Sequence, residues 1–102
     1  MSRPPALGLL VTLESKPGMQ DDVARFLEDG LAAVNQEPGT VTWYAFRMND
    51  TTFGIYDTFH EENGREAHLS GEVAQALGRV ADDLLAAPPD IRQIDVIAVK
   101  LP

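Results

Sequence analysis

The sequence predicts an α+β fold whose elements follow the order β-α-β-β-α-β. Four segments of strand length are rich in apolar, β-branched or aromatic residues, and two longer segments place apolar residues at helical spacing. Turn residues such as Pro-Gly and Asn-Asp separate these segments. The chain has 102 residues, of which 44% are hydrophobic and 24% are charged. This composition is typical of one globular domain, which we expect to span residues 1–102.

The first strand is predicted over residues 6–13 (ALGLLVTL), a run of strand length that is apolar at nearly every position. A strand with one face in water would alternate between apolar and polar residues. This run instead indicates burial on both faces of the strand. The KPG sequence at 16–18 ends the strand.

The first helix is predicted directly after this turn, with a length of about 17 residues. Asp21 and Asp22 fall in its first turn, where the helix dipole favours negative charge. The EPG sequence at 37–39 ends the helix. Its buried face is defined by apolar residues at helical spacing, namely Met19, Val23, Phe26, Leu27, Leu31 and Val34.

The next two strands are predicted to form a β-hairpin. Residues 40–48 (TVTWYAFRM) and 52–59 (TFGIYDTF) are β-branched and aromatic, and the NDT sequence between them is turn chemistry. A two-residue turn would set Trp43 opposite Tyr56, whereas a three-residue turn would set Trp43 opposite Asp57. The sequence leaves this register open.

The second helical region is predicted over residues 61–85. His68 would point away from its apolar stripe if the helix were continuous. Ser70 and Gly71 are a plausible break, with Ser70 as the N-cap of a second segment, and residues 61–69 would then form a separate helix with its own facing. The stripe consists of Val73, Leu77, Val80, Ala81 and Leu84.

The last strand is predicted over residues 91–101 (IRQIDVIAVKL), after two prolines. The resulting order is the split βαβ, ferredoxin-like arrangement with a four-stranded antiparallel sheet. Right-handed crossovers would place both helices on one face of the sheet. The opposite face would then be bare, although the strands are apolar on both sides. We therefore predict a homodimer in which two sheets pack face to face and close a barrel.

Charge and composition exclude several classes of function. The net charge is −8, and the eight Lys and Arg residues are scattered along the chain, so neither nucleic acid nor an anionic membrane is an expected partner. The absence of cysteine excludes thiol chemistry and iron–sulfur clusters. The apolar runs are too short to span a bilayer, and no cleavage signal is visible, so we expect a cytoplasmic protein.

Several segments together resemble a known superfamily. They are KPG at 16–18, EPGT at 37–40, TWYAFR at 42–47, FGIYDTF at 53–59, EAHLSG at 66–71 and VAQAL at 73–77. On these segments the chain resembles the antibiotic biosynthesis monooxygenase superfamily of dimeric α+β barrel proteins, and its quinol monooxygenases in particular.

The resemblance implies a dimer with one pocket per subunit, between the helices and the sheet. It also implies oxygenation of a quinol or hydroxylated aromatic by molecular oxygen, without a metal, flavin or other cofactor. The haem-degrading branch of the superfamily matches only at His68, because its first-strand asparagine and helical tryptophan have no counterpart here. The alternative is a non-catalytic, dimeric small-ligand-binding or stress-related protein with the same fold.

His68 is the candidate catalytic base, because an imidazole titrates near neutral pH and can take a phenolic proton. The alternative is a structural histidine that packs the helix onto the sheet. The other histidine, His60, is eight residues away, which does not match the spacing of a helical pair of metal ligands. We therefore expect no metal.

The candidate substrate-binding residues lie on the hairpin. Trp43 and Tyr44 are adjacent on a strand and must face opposite ways, so one faces the pocket and the other faces the partner sheet. Arg47 shares the face of Trp43 and would stabilise a phenolate there, unless it is a solvated rim charge. Tyr56 pairs with Trp43 in one of the two registers. Asp57, if buried, needs a partner, which we expect to be an Arg side chain or a backbone N–H, and it would also orient His68.

Overall fold

The computed structural model describes residues 3–102 and has the predicted α+β element order. The second helical region consists of two separate helices, as the Ser70–Gly71 break suggested. The elements are β1 (Leu7–Glu14), α1 (Gln20–Val34), β2 (Thr40–Arg47), β3 (Thr52–Phe59), α2 (Glu62–Leu69), α3 (Glu72–Leu84) and β4 (Asp90–Asp95).

The four strands form one antiparallel sheet in the order β2-β3-β1-β4. The central strand β1 pairs with β3 on one side and with β4 on the other, with Val11 opposite both Ile55 and Ile91. This sheet confirms the predicted ferredoxin-like arrangement.

The core lies between the helices and one face of the sheet. Alternate residues of a strand share a face, and Leu9, Leu13, Phe53 and Phe59 all point to the helices, where each is at most 2% exposed. Burial of side chains of this size stabilises a fold by about 1.5–3 kcal/mol each. The core cluster is completed by Val11, Val23, Leu27, Ile55, Leu77 and Leu85.

The hairpin has the three-residue turn. Asn49 Oδ1 accepts hydrogen bonds from the backbone N–H groups of Thr51 and Thr52, at 3.0 and 2.9 Å. Trp43 therefore lies opposite Asp57. The alternative pairing of Trp43 with Tyr56 is wrong, because the Asn49 side chain fixes the longer turn.

The break between α2 and α3 differs in detail from the expectation. Ser70 ends α2 and does not cap α3, because its Oγ donates back to the Glu66 carbonyl at 3.1 Å. Gly71 occupies the N-cap position of α3. The separation of the two helices nevertheless turns His68 of α2 toward the sheet.

The last strand is shorter than predicted and ends at Asp95. Its partner β1 begins at Leu7, which lies opposite Asp95, and one further hydrogen bond joins Val96 N–H to the Ala6 carbonyl at 2.9 Å. The chain before Ala6 carries two prolines, which have no N–H to donate. The apolar residues after Val96 therefore find no strand to pair with, and Ile97 is 98% exposed.

The helices leave the other face of the sheet uncovered by any element of residues 3–102. Tyr44 and Tyr56 stack on this face with their ring centroids 6.5 Å apart, and Tyr44 is 57% exposed. Leu10 lies opposite Tyr56 on the adjacent strand.

Within residues 3–102, none of the helices is both long and apolar enough to cross a bilayer.

Candidate functional site

His68 lies at the junction of α2 with the sheet. It is 7% exposed, and its ring is 5.6 Å from that of Phe59 between centroids. Arg65, one turn earlier on α2, is also buried and donates to the backbone carbonyls of Gly8 and Ile94 at 3.3 Å. These two side chains fasten α2 to the sheet, so the position of the imidazole is fixed.

Two carboxylates contact the imidazole of His68 from opposite ends. Nδ1 is 2.6 Å from Glu37 Oε1, and Nε2 is 2.9 Å from Asp57 Oδ2. The contact to Asp57 lacks hydrogen-bond geometry, and both oxygens of this fully buried carboxylate are without a hydrogen-bond donor. Glu37 Oε1 also accepts a hydrogen bond from Thr40 Oγ1 at 2.7 Å. The three residues form a chain, Glu37–His68–Asp57.

The pKa of His68 reflects opposing influences. Burial acts most strongly and disfavours the charged imidazolium, but the contacts with Asp57 and Glu37 and their negative charges together outweigh it. The pKa of His68 is therefore raised above its ordinary value. A raised pKa makes the imidazole a stronger base and stabilises its protonated form between the two carboxylates.

The same geometry is unsuited to a metal ion. The two carboxylates sit on opposite ring nitrogens and do not converge on one point. In residues 3–102 no group of three or more His, Asp or Glu side chains is arranged to hold a metal.

A cavity of about 660 Å³ lies between α1 and the β2–β3 hairpin. The guanidinium of Arg47 stands 4.9 Å above the ring of Phe53, and it donates to the carbonyls of Asn49 and Asp50 at 3.1 and 2.8 Å. The cavity is lined by Ala24, Leu27, Glu28, Leu31, Trp43, Tyr44, Ala45, Phe46, Arg47 and Phe53.

A smaller cavity of about 160 Å³ adjoins the larger one and is more polar in its lining. Leu31 and Trp43 line both cavities, so the two spaces adjoin at these side chains. The rest of the smaller cavity is formed by Val34, Asn35, Glu37, Thr40, Val41 and Thr42.

The structure divides the predicted site residues among three places. His68 and Asp57 are in contact, and the expectation that an Arg side chain or a backbone N–H would donate to Asp57 is wrong, because neither carboxylate oxygen receives a hydrogen bond from residues 3–102. Trp43, Arg47 and Tyr44 line the larger cavity. The remaining candidate, Tyr56, points to the uncovered face, and His68 lines neither of the two cavities described above.

Glu37 is the residue that the sequence analysis missed. The EPG sequence predicts only the end of α1. Glu37 also lies 31 positions before His68, so no local pattern connects the two residues. A buried histidine on an otherwise polar helix requires polar partners, and this requirement was the available signal. The sequence did not show which acidic residue would meet it.

Comparison with solved structures relates this fold to known proteins. A protein of unknown function from Nitrosomonas europaea, NE2512, is 44% identical, with a TM-score of 0.94 over 96% of this chain and 95% of that one. PA3566 from Pseudomonas aeruginosa is 21% identical, with a TM-score of 0.80 over 96% of this chain and all of its own.

A third structure, from Caulobacter crescentus, is provisionally assigned as an antibiotic biosynthesis monooxygenase. It is 18% identical, with a TM-score of 0.80 over 92% of each chain. No protein-family model matches the sequence, and a search of curated proteins gives no match. By sequence the chain thus belongs to the same family as NE2512, and it has the fold of structures provisionally assigned as antibiotic biosynthesis monooxygenases, as the resemblance predicted for the fold.

Proposed function

We propose that the protein is a homodimeric, cofactor-independent monooxygenase that oxidises a quinol or hydroxylated aromatic with molecular oxygen. One observation carries this proposal: the larger cavity is lined by Trp43, Arg47 and Phe53, with the Arg47 guanidinium 4.9 Å from the centre of the Phe53 ring. Aromatic walls favour a flat ring, and a fixed cation favours an oxygen anion on that ring.

The proposed reaction needs no electron source other than the substrate. A phenol loses its hydroxyl proton, and a ring carbon of the resulting anion forms a bond to molecular oxygen. Cleavage of the O–O bond and loss of the hydrogen on that carbon leave a quinone and one molecule of water. The protein would supply an acceptor for the proton and a positive charge near the anion.

Each residue of the site has a proposed role. Trp43 stacks on the substrate ring, Arg47 stabilises the phenolate, and His68 is the catalytic base. His68 meets the cavities only through Glu37, so the proton would pass to the imidazole by way of that carboxylate. Asp57 would balance the charge that the imidazole gains.

The dimer is part of the same proposal. A second copy of the sheet would cover the aromatic face around Tyr44 and Tyr56, which is too apolar to be an ordinary solvated surface. Both tyrosines would then lie in the barrel between the sheets. In that arrangement Tyr44 reaches a substrate only at the rim of the larger cavity.

A non-catalytic ligand-binding protein is the second candidate. It is favoured by the position of His68, whose two nitrogens already meet Glu37 and Asp57 and which lines none of the cavities described. An imidazole held in this way would serve the structure of the protein and would leave the cavity as a binding site alone.

Oxygen uptake separates the two candidates. The purified protein, stripped of metal and flavin, is assayed on a panel of hydroquinones and polyhydroxylated aromatics beside Arg47→Met and His68→Gln. Exposed Arg79→Met on α3 is the matched control for a lost guanidinium. Monooxygenation predicts uptake that falls at least about tenfold in Arg47→Met and His68→Gln but not in the control. Ligand binding without uptake would favour the binding protein.

A further inference from the structure

Glu37 occupies an unusual position, because it belongs both to a cavity and to the buried chain of charged groups. Its carboxylate lines the smaller cavity, and its side chain is 20% exposed, whereas the side chains of His68 and Asp57 are 9% and 0% exposed. Glu37 is therefore the member of the chain that a ligand in the cavities would meet first.

The two cavities differ in what they can accommodate. The larger one has the aromatic and aliphatic walls already described, and the smaller one carries the Asn35 amide, the Thr40 and Thr42 hydroxyls and the Glu37 carboxylate. Thr42 Oγ1 is occupied by a hydrogen bond to Thr58 Oγ1 at 2.6 Å, and the Thr40 hydroxyl is donated to Glu37. The carboxylate is then the strongest hydrogen-bond acceptor that faces the space.

We propose that the smaller cavity is a subsite that selects a hydrogen-bond donor, so that Glu37 accepts the hydroxyl or amino end of a ligand whose ring lies in the larger cavity. This inference deepens the proposed function and rests on it. In this selection His68 acts behind Glu37 as a positioning residue, since it contacts Oε1 and so fixes the orientation of the carboxylate. A ligand whose hydroxyl is methylated keeps its ring but loses the donor.

Trp43 provides the readout, because it is the only tryptophan in the chain and lines both cavities. We would titrate the protein with 1-naphthol and with 1-methoxynaphthalene and follow the quenching of tryptophan fluorescence. The variants are Glu37→Gln and, as a control for the loss of a carboxylate, exposed Glu66→Gln on α2.

The inference predicts that the wild type binds 1-naphthol at least about tenfold more tightly than its methyl ether, because a hydrogen bond to a charged acceptor is worth about that much in affinity. Glu37→Gln should lose most of this preference through weaker binding of 1-naphthol alone. Glu66→Gln should keep it.

Two results would overturn the inference, and only one of them would also reject the proposed aromatic site. Equal binding of both naphthalenes by the wild type would remove the donor-selective subsite and leave the proposed aromatic site intact. No quenching by either ligand would reject the aromatic site and the subsite together. The comparison of the two ligands on wild-type protein needs no variant, so it stands even if Glu37→Gln fails to fold.

Discussion

At the scale of single residues, His68 joins three segments that are distant in sequence. Glu37 follows α1, Asp57 lies on β3 and His68 itself lies on α2. A buried carboxylate is costly without compensation, and the imidazolium offsets the charge of Asp57 only while it stays protonated. The contact should therefore make the stability of the protein depend on pH.

The sign of this dependence follows from the raised pKa of His68. A group whose pKa is higher in the folded state stabilises the fold fully below its unfolded pKa, about 6.5 for histidine, and loses that contribution as the pH rises through the folded pKa. We expect the urea midpoint of the wild type to fall from about pH 6.5 upward. His68→Gln should flatten this part of the curve, whereas His60→Gln should not. Identical curves for wild type and His68→Gln would contradict this account.

Asp57 should matter more to stability than any exposed aspartate. Removing one member of a buried ion pair leaves the other uncompensated, and the cost is on the order of 3 kcal/mol. We expect Asp57→Asn to lower the free energy of unfolding in urea by about this amount, and Asp83→Asn, which is exposed on α3, to change it by less than about 0.5 kcal/mol. A small, equal effect of both would show that Asp57 is not charged in the fold.

Only part of the Glu37–His68–Asp57 chain could be predicted from the sequence. The isolated acid in an apolar strand predicted that Asp57 needs a partner, because burial follows from the strand pattern alone. The expected donor, an Arg or a backbone N–H, is absent from the part of the chain that the structure describes, and only the contact with His68 is found. Glu37 could not be predicted, since its contact depends on how α2 docks against the loop after α1. Local patterns do not encode the distance between two elements.

At the scale of elements, α2 is held unusually close to the loop between α1 and β2. A Cβ placed on Gly64 would lie 2.8 Å from the carbonyl oxygen of Gly39, and one on Gly39 would lie 2.8 Å from the Cα of Gly64. Two backbones in such contact leave no room for a side chain on either. This close approach places His68 within reach of Glu37.

Two glycines in helices therefore offer a matched test. Gly64→Ala forces α2 away from the loop and should cost about 1–3 kcal/mol, as overpacking does. Gly78 on α3 has open space around its Cβ position, so Gly78→Ala should stabilise the protein by up to about 1 kcal/mol through helix propensity. Urea unfolding of both variants checks the prediction. A gain of stability in both would mean that the approach of α2 is looser than described.

The elements themselves were largely predictable, because period and turn residues are local signals. The end of β4 was not, although residues 96–101 have good strand composition. A strand ends where its neighbour ends. The pairing of β1 with β4 stops after the hydrogen bond between Val96 and Ala6, so residues 97–101 have no neighbouring strand among the described residues. The hairpin register likewise depended on one hydrogen-bonding side chain, Asn49.

At the scale of the whole molecule, the uncovered sheet face is the feature that most needs a partner. We expect sedimentation at micromolar concentration to give a species of twice the 11.1 kDa chain mass. Tyr44→Lys should yield monomers, because it places a charge within the proposed interface. The chain carries a net charge of −8, so a lysine lowers the overall charge repulsion between two copies. Dissociation of Tyr44→Lys would therefore be due to disruption of the interface.

Met48→Lys is the control for the dimer prediction, since Met48 is 65% exposed but follows β2 at the turn. It should leave the dimer intact. A wild-type monomer at micromolar concentration would contradict the prediction directly. Circular dichroism of Tyr44→Lys would separate dissociation from unfolding.

The strand order has a further consequence for how the chain matures during synthesis. Of the four strands, β1 is made before both of its neighbours and β4 is made after the other three, so Leu7 is synthesised long before its partner Asp95. Until β4 is made, β1 presents one unpaired, apolar edge, which is the kind of surface that recruits other nascent chains. Translation that stalls before residue 90 should therefore produce aggregates.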